Sequence, residues 1–562
     1  MLSIVNTIAL NGIEGTIVEA QVDLSAGIPH WEMVGMLGTS IKESRERISV
    51  AIKNSGIKLV GKKISVNLAP AEIRKEGSSF DLAIAVGILI NLGLIKRDIV
   101  KSSIFIGEIS YNGNINYTKG ILPMCLIAKN NKFKRVYVPN ENIKEAKLVN
   151  DLEIIGVNSL RDLIIKINSN FQVESNISKI EDYYEEYDMD FSEIYGQEKA
   201  KRALEIVAAG NHNCLLIGEP GVGKTMLAKR LITIFPKLNY DEIIEITKIN
   251  SILGLIKDDE FINIRPFVEV NPNITLASFV GGGKNPLPGA ITLANQGILF
   301  MDEFAEFDSK KLEMLRTILD LHSIKLDRVK CSVKYPCKFI LIAAMNPCPC
   351  GYFGSKDKKC TCSESKIKKY LSKISGPVMD RIDIQFNVSN VKYSEIDNTK
   401  KIERSEDIRK RVELARNIQK ERFINSILLG KDDLFNIKYE FLQGNKMSGV
   451  VVGGNIRCFL KLSGTPYMPN LENKILLLES YGGEVALMTT YLTQLKQMGA
   501  FKKIKGIILG TFTKMEENKV KPNIEEIVLK IVNDKNLPII KTNEIGHGMD
   551  SKCMIIGKNI KV

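Results

Sequence analysis

The chain has 562 residues, of which 44% are hydrophobic and 25% charged, and its formal net charge is +13. This composition is ordinary for a folded globular protein, and ten cysteines in such a long chain exclude a disulfide scaffold. We expect three or four domains, because one hydrophobic core rarely serves so many residues.

The sequence indicates neither a membrane span nor a secretory signal. Its apolar runs fall short of the roughly 20 residues that a membrane-spanning helix needs. Met1–Asn6 lacks a basic segment followed by a long apolar core. We therefore expect a cytoplasmic protein without a membrane partner. The positive charge favours a polyanionic partner such as DNA, and a lysine-rich composition typical of a low-GC genome would explain it equally well.

The first predicted domain covers residues 1–172 and alternates strands with helices. Alternating apolar residues predict strands at Gly15–Asp23 and Ile64–Leu68. A helical period predicts helices at Thr39–Asn54 and Phe80–Leu94.

Two changes of character divide the rest of the chain. Residues 173–190 are acidic and aperiodic, which is typical of an interdomain linker or of a solvated helix face. A second domain, 191–425, follows and closes with a charged amphipathic helix at Ser405–Phe423. A third domain, 435–562, follows, and its first part contains the glycine-rich stretch Gly449–Asn455.

A phosphate-binding loop lies near the start of the second domain. Gly218-Glu-Pro-Gly-Val-Gly-Lys-Thr225 stands between a short apolar strand, Cys214–Ile217, and a helix starting near Met226. Backbone N–H groups of such a loop and the following helix N-terminus cradle phosphate. We predict that Lys224 reaches the β- and γ-phosphates of ATP or GTP and that the Thr225 hydroxyl binds Mg²⁺. The other predicted nucleotide-binding residues of the loop are Gly218, Gly221 and Gly223.

Three further motifs supply the residues that an ATPase needs around this loop. An apolar strand ends at Asp302 and Glu303, which we predict to bind Mg²⁺ and to polarise the attacking water, respectively. A second apolar run ends at Asn346, which would orient that water. Arg381 is placed to reach the γ-phosphate of a neighbouring subunit, and a structural Arg–Asp pair is the alternative.

Four cysteines form two closely spaced pairs just after Asn346. Cys348-Pro-Cys350 and Cys360-Thr-Cys362 stand at the two ends of one loop, so four thiolates could surround a structural Zn²⁺ ion. The spacing within each pair is tighter than the usual C-x₂-C, and ordinary buried cysteines are the alternative.

These residues resemble a known family, the Mg-chelatase-like AAA+ ATPases called ComM or YifB. The resemblance implies a hexameric ring that binds ATP and Mg²⁺ and migrates branched DNA. This chain departs from the family pattern at three places, so nucleotide binding is better supported than motor activity. The motifs that carry the resemblance are Gly196-Gln-Glu198, Gly281–Gly283, Pro288-Gly289, Ala344–Gly351, Ser375–Asp383 and, in the first domain, Asn67–Gly77. The departures are Val270–Asn273, Pro288–Ile291 and Leu319–His322.

The first domain is similar to the α+β domain of Lon proteases. Ser79 falls at the place of the Lon nucleophile, but the position of the catalytic lysine is taken by Leu122. Because a serine hydroxyl without a base is a poor nucleophile, we expect this domain to be a scaffold or a DNA-contacting collar.

The third domain resembles the LD-carboxypeptidase family, which includes the microcin-immunity peptidases. The resemblance assigns Glu479 and His547 to the acid and base of a Ser–His–Glu triad. The nucleophile of that family comes from a preceding domain, which has no counterpart here. The helical lid of AAA+ ATPases is likewise absent after residue 425. The chain is therefore either a natural fusion or two truncated genes joined together.

The sequence as a whole predicts an α/β multidomain protein. Its parts are a Lon-protease-like α+β domain, a P-loop AAA+ α/β domain and an LD-carboxypeptidase-type α/β domain. The expected function is DNA-linked ATP hydrolysis, which the missing lid could impair. The alternatives are a peptidase acting on peptidoglycan peptides and a non-catalytic nucleotide binder.

Overall fold

The computed structural model divides the chain into two compact units, Met1–Arg416 and Asn417–Val562. The structure describes residues 2–36, 38–59, 61–169, 187–256, 262–283, 286–328, 331–355, 357–390, 403–425, 437–547, 551–552, 554, 556–557 and 559–562. Of the predicted linker 173–190, only residues 187–190 fall within these ranges.

The N-terminal region of the first unit contains a mixed sheet covered by helices. Its strands are β1 Leu2–Asn11, β2 Glu14–Ala26, β3 His30–Val34, β4 Lys62–Ala69, β5 Ser103–Phe105, β6 Glu108–Ile109, β7 Ile115–Asn116, β8 Arg135–Pro139 and β9 Glu153–Val157. Its helices are α1 Thr39–Asn54, α2 Asp81–Asn91, α3 Arg97–Val100, α4 Ile121–Asn130, α5 Ile143–Ala146 and α6 Leu160–Asn168. Seven of these strands form the sheet, in the order β3-β4-β2-β1-β5-β8-β9, and β6 and β7 form a separate antiparallel pair.

Helix α2 is the centre of the core in this region. All its residues from Asp81 to Ile90 are buried, so the segment is apolar on every side rather than amphipathic. One charge lies within it: the carboxylate of Asp81 accepts hydrogen bonds from Nε of Arg47 on α1 at 2.9 Å and from a terminal nitrogen of that guanidinium at 3.2 Å. A buried carboxylate is tolerated here because a cation neutralises it.

The rest of the first unit is built on a five-stranded parallel sheet. The five strands of this sheet are β10 Cys214–Gly218, β11 Phe267–Val270, β14 Ile298–Met301, β17 Ile340–Met345 and β18 Ile384–Val388. Two separate antiparallel pairs are formed by β12 Gly281–Gly282 with β13 Leu287–Pro288 and by β15 Ser323–Arg328 with β16 Cys331–Pro336. The helices of this part are α7 Glu198–Gly210, α8 Lys224–Leu231, α9 Tyr240–Leu253, α10 Leu276–Val280, α11 Ala290–Leu293, α12 Ser309–Leu321, α13 Glu364–Leu371, α14 Gly376–Met379 and α15 Ser405–Asn425, whose residues from Asn417 onward belong to the second unit.

The order of the parallel strands places the ends of three of them side by side. The sheet runs β11-β14-β17-β10-β18, so β10 lies between β17 and β18, and β14 is the next strand beyond β17. Ligands of open α/β sheets bind at the carboxyl ends of the strands. We therefore expect a ligand-binding site at the loops after β10, β14 and β17.

The first part of helix α15 packs against this sheet domain. The guanidinium of Arg411 donates to both carboxylate oxygens of Glu205 on α7, at 2.7 and 3.2 Å. Nε of Arg416 donates to the carbonyl oxygen of Ala208 at 2.9 Å. The buried hydroxyl of Ser405 accepts from the backbone N–H of Phe191 at 2.8 Å. The start of the helix is thus joined to the first residues of the domain.

The second unit contains a six-stranded sheet in the order β19-β23-β22-β21-β20-β24. Its strands are β19 Glu440–Gln443, β20 Ser448–Asn455, β21 Lys474–Ser480, β22 Gly506–Phe512, β23 Ile539–Lys541 and β24 Asn559–Lys561. Its helices are α16 Ile456–Leu460, α17 Val485–Gln497, α18 Ala500–Lys503, α19 Thr513–Glu517 and α20 Ile524–Val532. Strands β20 to β23 are parallel and the two edge strands are antiparallel.

Most local predictions agree with these elements. The predicted helix Thr39–Asn54 has the observed bounds, and the two predicted N-terminal strands lie within β2 and β4. The helix predicted at Phe80–Leu94 ends earlier, at Asn91, because the chain turns there: the N–H of Gly93 bonds to the carbonyl of Ile90. Among the described residues, no helix has the length and apolar character that crossing a membrane requires.

Candidate functional site

The phosphate loop, residues 218–225, connects the end of β10 directly to the start of α8. Gly221 and Gly223 have φ angles of 83° and 91°, a left-handed conformation that favours glycine. Apart from each glycine and its chain neighbours, no heavy atom of the described residues lies within 4 Å of the position a Cβ would take at Gly221 or Gly223, so both face open space. Such a loop leaves its backbone N–H groups and the helix N-terminus available to an anion.

Lys224 is held across the mouth of this loop. Its ammonium group donates to the carbonyl oxygens of Gly218 and Glu219 at 2.8 and 2.9 Å, and to Oδ1 of Asn346 at 3.1 Å. Burial lowers the pKa of Lys224 below its ordinary value, and the nearby Asp302 acts in the opposite direction. The side chain is thus positioned before any phosphate arrives.

Thr225 and Asp302 provide two oxygen ligands for a cation. The Thr225 hydroxyl donates to a carboxylate oxygen of Asp302 at 3.0 Å, although the two residues belong to different strand–loop junctions. A hydroxyl and a carboxylate oxygen at this separation suit Mg²⁺, which prefers hard oxygen donors and keeps several waters. The predicted magnesium ligands are therefore together and chemically fit the ion.

Glu303 follows Asp302 with a φ of 52°, an uncommon angle for a residue with a side chain. Its N–H donates to the other carboxylate oxygen of Asp302 at 2.8 Å, which fixes this conformation. The Glu303 side chain is exposed at the strand end. Strained backbone of this kind is often found at functional sites.

Arg381 lies at the end of α14 and is paired within its own chain. Its guanidinium donates to both carboxylate oxygens of Asp320 at 2.9 and 2.6 Å, and to the carbonyl of Pro377 at 2.6 Å. The side chain of Arg381 is 25% exposed and that of Asp320 is 49% exposed. The role of Arg381 on a neighbouring subunit's phosphate stays a prediction.

The four cysteines after β17 form one compact cluster. Their Sγ atoms all lie within 4.8 Å of one another. Cys348 is buried and the other three are half-buried. The four cysteines that the sequence predicts to share one site thus lie close together, and their binding of zinc stays a prediction.

The N-terminal region contains the two positions compared with Lon. Leu122 is fully buried in α4, and Ser79 is buried just before α2. The backbone carbonyl of Ser79 accepts from the N–H of Gly107 at 3.0 Å. The absence of peptidase activity from this region stays a prediction.

The second unit brings Glu479 and His547 together. Nδ1 of His547 lies 2.8 Å from Oε2 of Glu479, at the end of β21. Oε2 of Glu479 is buried and accepts no well-aligned hydrogen bond from any described residue. The two side chains are therefore within ion-pair distance without forming a well-aligned hydrogen bond. The imidazole is 42% exposed and lies beside the ring of Tyr481, with centroids 5.3 Å apart.

The comparisons with known proteins agree with this geometry. The family model described as magnesium chelatase, subunit ChlI, matches residues 190–396, and the model of subunit ChlI of Mg-chelatase matches residues 20–142. The competence protein ComM of Haemophilus influenzae is 33% identical over 478 residues, which are 83% of this chain and 93% of that protein. The chain belongs to the ComM/YifB family of Mg-chelatase-like AAA+ ATPases.

Other relatives place the chain in the same family. The YifB protein of Salmonella typhimurium is 34% identical over 77% of this chain and 85% of its own length. An uncharacterised protein of Mycobacterium tuberculosis is 35% identical over 74% of this chain and 82% of its own length. As an AAA+ ATPase family, this group uses nucleotide and Mg²⁺, and AAA+ proteins commonly form oligomeric rings.

The C-terminal end of this ComM/YifB family member matches a different model. Residues 448–562 match the LD-carboxypeptidase C-terminal domain. Among solved structures, the microcin C7 self-immunity protein MccF is 23% identical and covers 25% of this chain and 45% of its own, with a TM-score of 0.20. The two family-model matches confirm the predicted α/β multidomain fold class, with a P-loop domain and a carboxypeptidase-type domain.

Proposed function

We propose that this chain is an ATP-hydrolysing motor that acts on DNA. The observation that carries the proposal is the group formed by Lys224, Thr225, Asp302 and Asn346, which are joined by hydrogen bonds at the carboxyl ends of three neighbouring strands. An ammonium group, two oxygen ligands and an amide around an open phosphate loop are what binding and cleavage of a nucleoside triphosphate require.

Each residue has a distinct part in the proposed reaction. The loop amides and Lys224 hold the β- and γ-phosphates, while Thr225 and Asp302 hold Mg²⁺. The metal ion, when bound, neutralises charge on the phosphate oxygens. Glu303 accepts a proton from the attacking water, and Asn346 orients that water.

Phosphate release by the purified chain tests this proposal. We expect release that DNA stimulates and that Lys224→Ala abolishes. Glu303→Gln should keep ATP affinity and slow release by a factor on the order of 10² to 10⁴, because the base is lost while the cradle remains. Equal phosphate release by the wild-type chain and by Lys224→Ala would contradict the proposal.

The assembly belongs to the same proposal. A hexameric ring would place Arg381 of one subunit at the γ-phosphate of the next, where its charge stabilises the transition state. A cytoplasmic location is part of the proposal because ATP and chromosomal DNA are found there.

DNA contact is proposed for the N-terminal region. A pocket of 580 Å³ there is lined by Trp31, the only tryptophan of the chain, together with Lys53, Lys58 and Lys62. An aromatic ring flanked by lysines suits single-stranded DNA, because bases stack on the ring and ammonium groups attract phosphates.

Fluorescence of Trp31 reports directly on this pocket. We expect a thymidine oligonucleotide to quench it at low salt, and Lys53→Glu/Lys58→Glu to weaken that binding. Lys101→Glu/Lys132→Glu, which changes the charge equally outside the pocket, is the matched control. Equal binding by both double variants would exclude the pocket as the DNA site.

A nucleotide binder that cannot turn ATP over is the alternative within the same site. The departure from the family pattern after residue 425 supports it, because the expected lid would carry a second arginine to the γ-phosphate. ATP binding without phosphate release under every DNA condition would select this alternative.

A serine-peptidase activity is the second candidate. It is favoured by the 2.8 Å contact between His547 and Glu479, the base and acid of a triad. Acyl transfer also needs a nucleophile, which we propose would have to come from another chain. Turnover of an L,D-tetrapeptide by the pure protein would support this function, and His547→Ala should then abolish it.

The join between the two family matches has its own test. A natural fusion gives one chain of 62.8 kDa in cells. Two shorter products, with a corrected reading across the codons for residues 420–445, would indicate joined truncated genes.

A further inference from the structure

The loop that carries the four cysteines touches the phosphate loop. We propose that Cys348, Cys350, Cys360 and Cys362 bind a structural Zn²⁺ ion and that the filled site holds the phosphate loop in its nucleotide-binding form. The second half of this inference rests on the proposed ATP binding, and the metal site itself does not.

The sulfur–sulfur distances fit a tetrahedral thiolate site. Sγ of Cys348 lies 3.3 Å from that of Cys350 and 3.7 Å from that of Cys360, and the distance from Cys350 to Cys360 is 3.6 Å. A tetrahedron with Zn–S bonds of about 2.3 Å has edges of roughly 3.8 Å. A disulfide would bring two sulfur atoms to about 2.05 Å. The cluster therefore has the size of a metal site and not of a disulfide pair.

A backbone group beside the sulfurs supports the same assignment. The N–H of Cys362 donates to Sγ of Cys360 at 3.4 Å. Such second partners orient metal ligands and disperse their charge. Four protein ligands fill a tetrahedral ion completely, so the site is structural rather than catalytic.

Gly351 brings the cysteine loop into direct contact with the phosphate loop. A Cβ atom at Gly351 would lie 2.6 Å from Cδ and 2.7 Å from Cγ of Pro220. Only a residue without a side chain allows this approach. The backbone next to Cys350 thus forms one wall against which the phosphate loop rests.

Two polar connections join the same loops on either side of this contact. Asn346, two residues before Cys348, accepts from the ammonium group of Lys224 at 3.1 Å. The amide of Asn390 donates to Glu219 in the phosphate loop and to Asp357 in the cysteine loop, at 3.4 Å each. The two loops therefore touch directly at Gly351 and are linked further through Asn346 and Asn390.

Without the ion, only weak hydrogen bonds of the thiols hold the four cysteines together. The segment from Cys348 to Cys362 would then lose its fixed shape, and with it the wall against Pro220 and the position of Asn346. We expect ATP affinity and turnover to fall together when the metal is removed.

Metal analysis of the full-length chain tests the site. We expect close to one zinc ion per chain in protein purified under reducing conditions, and intense visible bands of tetrahedral thiolate when Co²⁺ replaces it. Cys360→Ser/Cys362→Ser should lose the ion, whereas the control Cys331→Ser/Cys458→Ser should keep it. The Lys224→Ala variant should also keep it, so a failure of ATP binding does not obscure this result.

Two findings would overturn the metal site. One is a zinc-supplemented wild-type chain that binds neither Zn²⁺ nor Co²⁺. The other is protection of the four cysteines from alkylation until a disulfide reductant is added. Both measurements use the wild-type chain, so they decide the question even where a cysteine variant fails to fold.

Gly351→Ala tests the connection to the phosphate loop separately. This change keeps all four thiols but drives a methyl group towards Pro220. We expect it to retain zinc and to weaken ATP binding by roughly threefold to thirtyfold. Chelation of zinc from the wild type should weaken ATP binding at least as much. Unchanged ATP affinity in both zinc-free protein and Gly351→Ala would overturn the coupling while leaving the metal site in place.

Discussion

Nζ of Lys224 and Oδ1 of Asn346 lie 3.1 Å apart, so the phosphate loop and the end of β17 share a hydrogen bond. Asn346→Ala removes this bond and the amide that would orient the attacking water. We expect a fall in kcat of roughly 10² to 10³, with a smaller change in KM, since the loop amides and the magnesium ligands remain. Steady-state phosphate release measures both constants. A change in KM alone would show that Asn346 acts only in binding.

Alanine substitutions of Arg381 and of its partner Asp320 should have different effects on ATP turnover. If Arg381 serves the γ-phosphate of a neighbouring subunit, Arg381→Ala should lower turnover by roughly 10³-fold. Asp320→Ala should leave turnover intact, because it frees the arginine without removing it. A purely structural pair predicts that both variants lose the same activity. Measurements of phosphate release and ring assembly on both variants distinguish a role of Arg381 at the γ-phosphate from a purely structural pair.

Nucleotide affinity should depend on pH through Lys224. Burial lowers the pKa of Lys224 below its ordinary value of 10.5, with Asp302 opposing that shift. The protonated ammonium attracts phosphate, so this attraction is present below the lowered pKa and is lost as pH rises through it. The affinity for Mg-ATP should therefore begin to decline at a pH below 10.5. Titrations at rising pH measure this decline. In Lys224→Arg, whose guanidinium stays charged, the pH dependence should disappear.

The buried pair in the N-terminal region predicts a large loss of stability. The Asp81 side chain is fully buried, whereas that of Arg47 is 18% exposed. Arg47→Ala would leave a buried carboxylate without its cation, at a cost of roughly 3–5 kcal/mol in the free energy of unfolding. Lys368→Ala, which breaks an exposed pair with Glu364, should change it by less than about 1 kcal/mol. Denaturant unfolding followed by circular dichroism compares the two, and equal losses would contradict this explanation.

Local sequence signals anticipated the elements that carry the site. The phosphate loop, the apolar strand before Asp302 and the run before Asn346 are each read from a few neighbouring residues, and all three lie where the motifs indicate. Helix α8 begins at Lys224 rather than at Met226, because the loop passes into the helix without a break.

Contacts between residues that are distant in sequence could not be predicted from the sequence. Nothing near Arg381 indicates that Asp320 will be its partner, because the two residues are 61 positions apart and lie on different elements of the fold. The approach of Gly351 to Pro220 likewise depends on the neighbouring position of β10 and β17. Glycine at that place carries no local signal of its own. Contacts of this kind can be predicted only when the order of the strands in the sheet is known.

The central claim is that one pocket binds Mg-ATP, and equilibrium titration with a fluorescent ATP analogue tests it most directly. The wild-type chain should bind the analogue in the presence of Mg²⁺. Lys224→Ala should lose this binding, and Asp302→Asn should lose its dependence on Mg²⁺. Absence of binding by folded, zinc-loaded wild-type protein, or equal affinity in Lys224→Ala, would contradict the account.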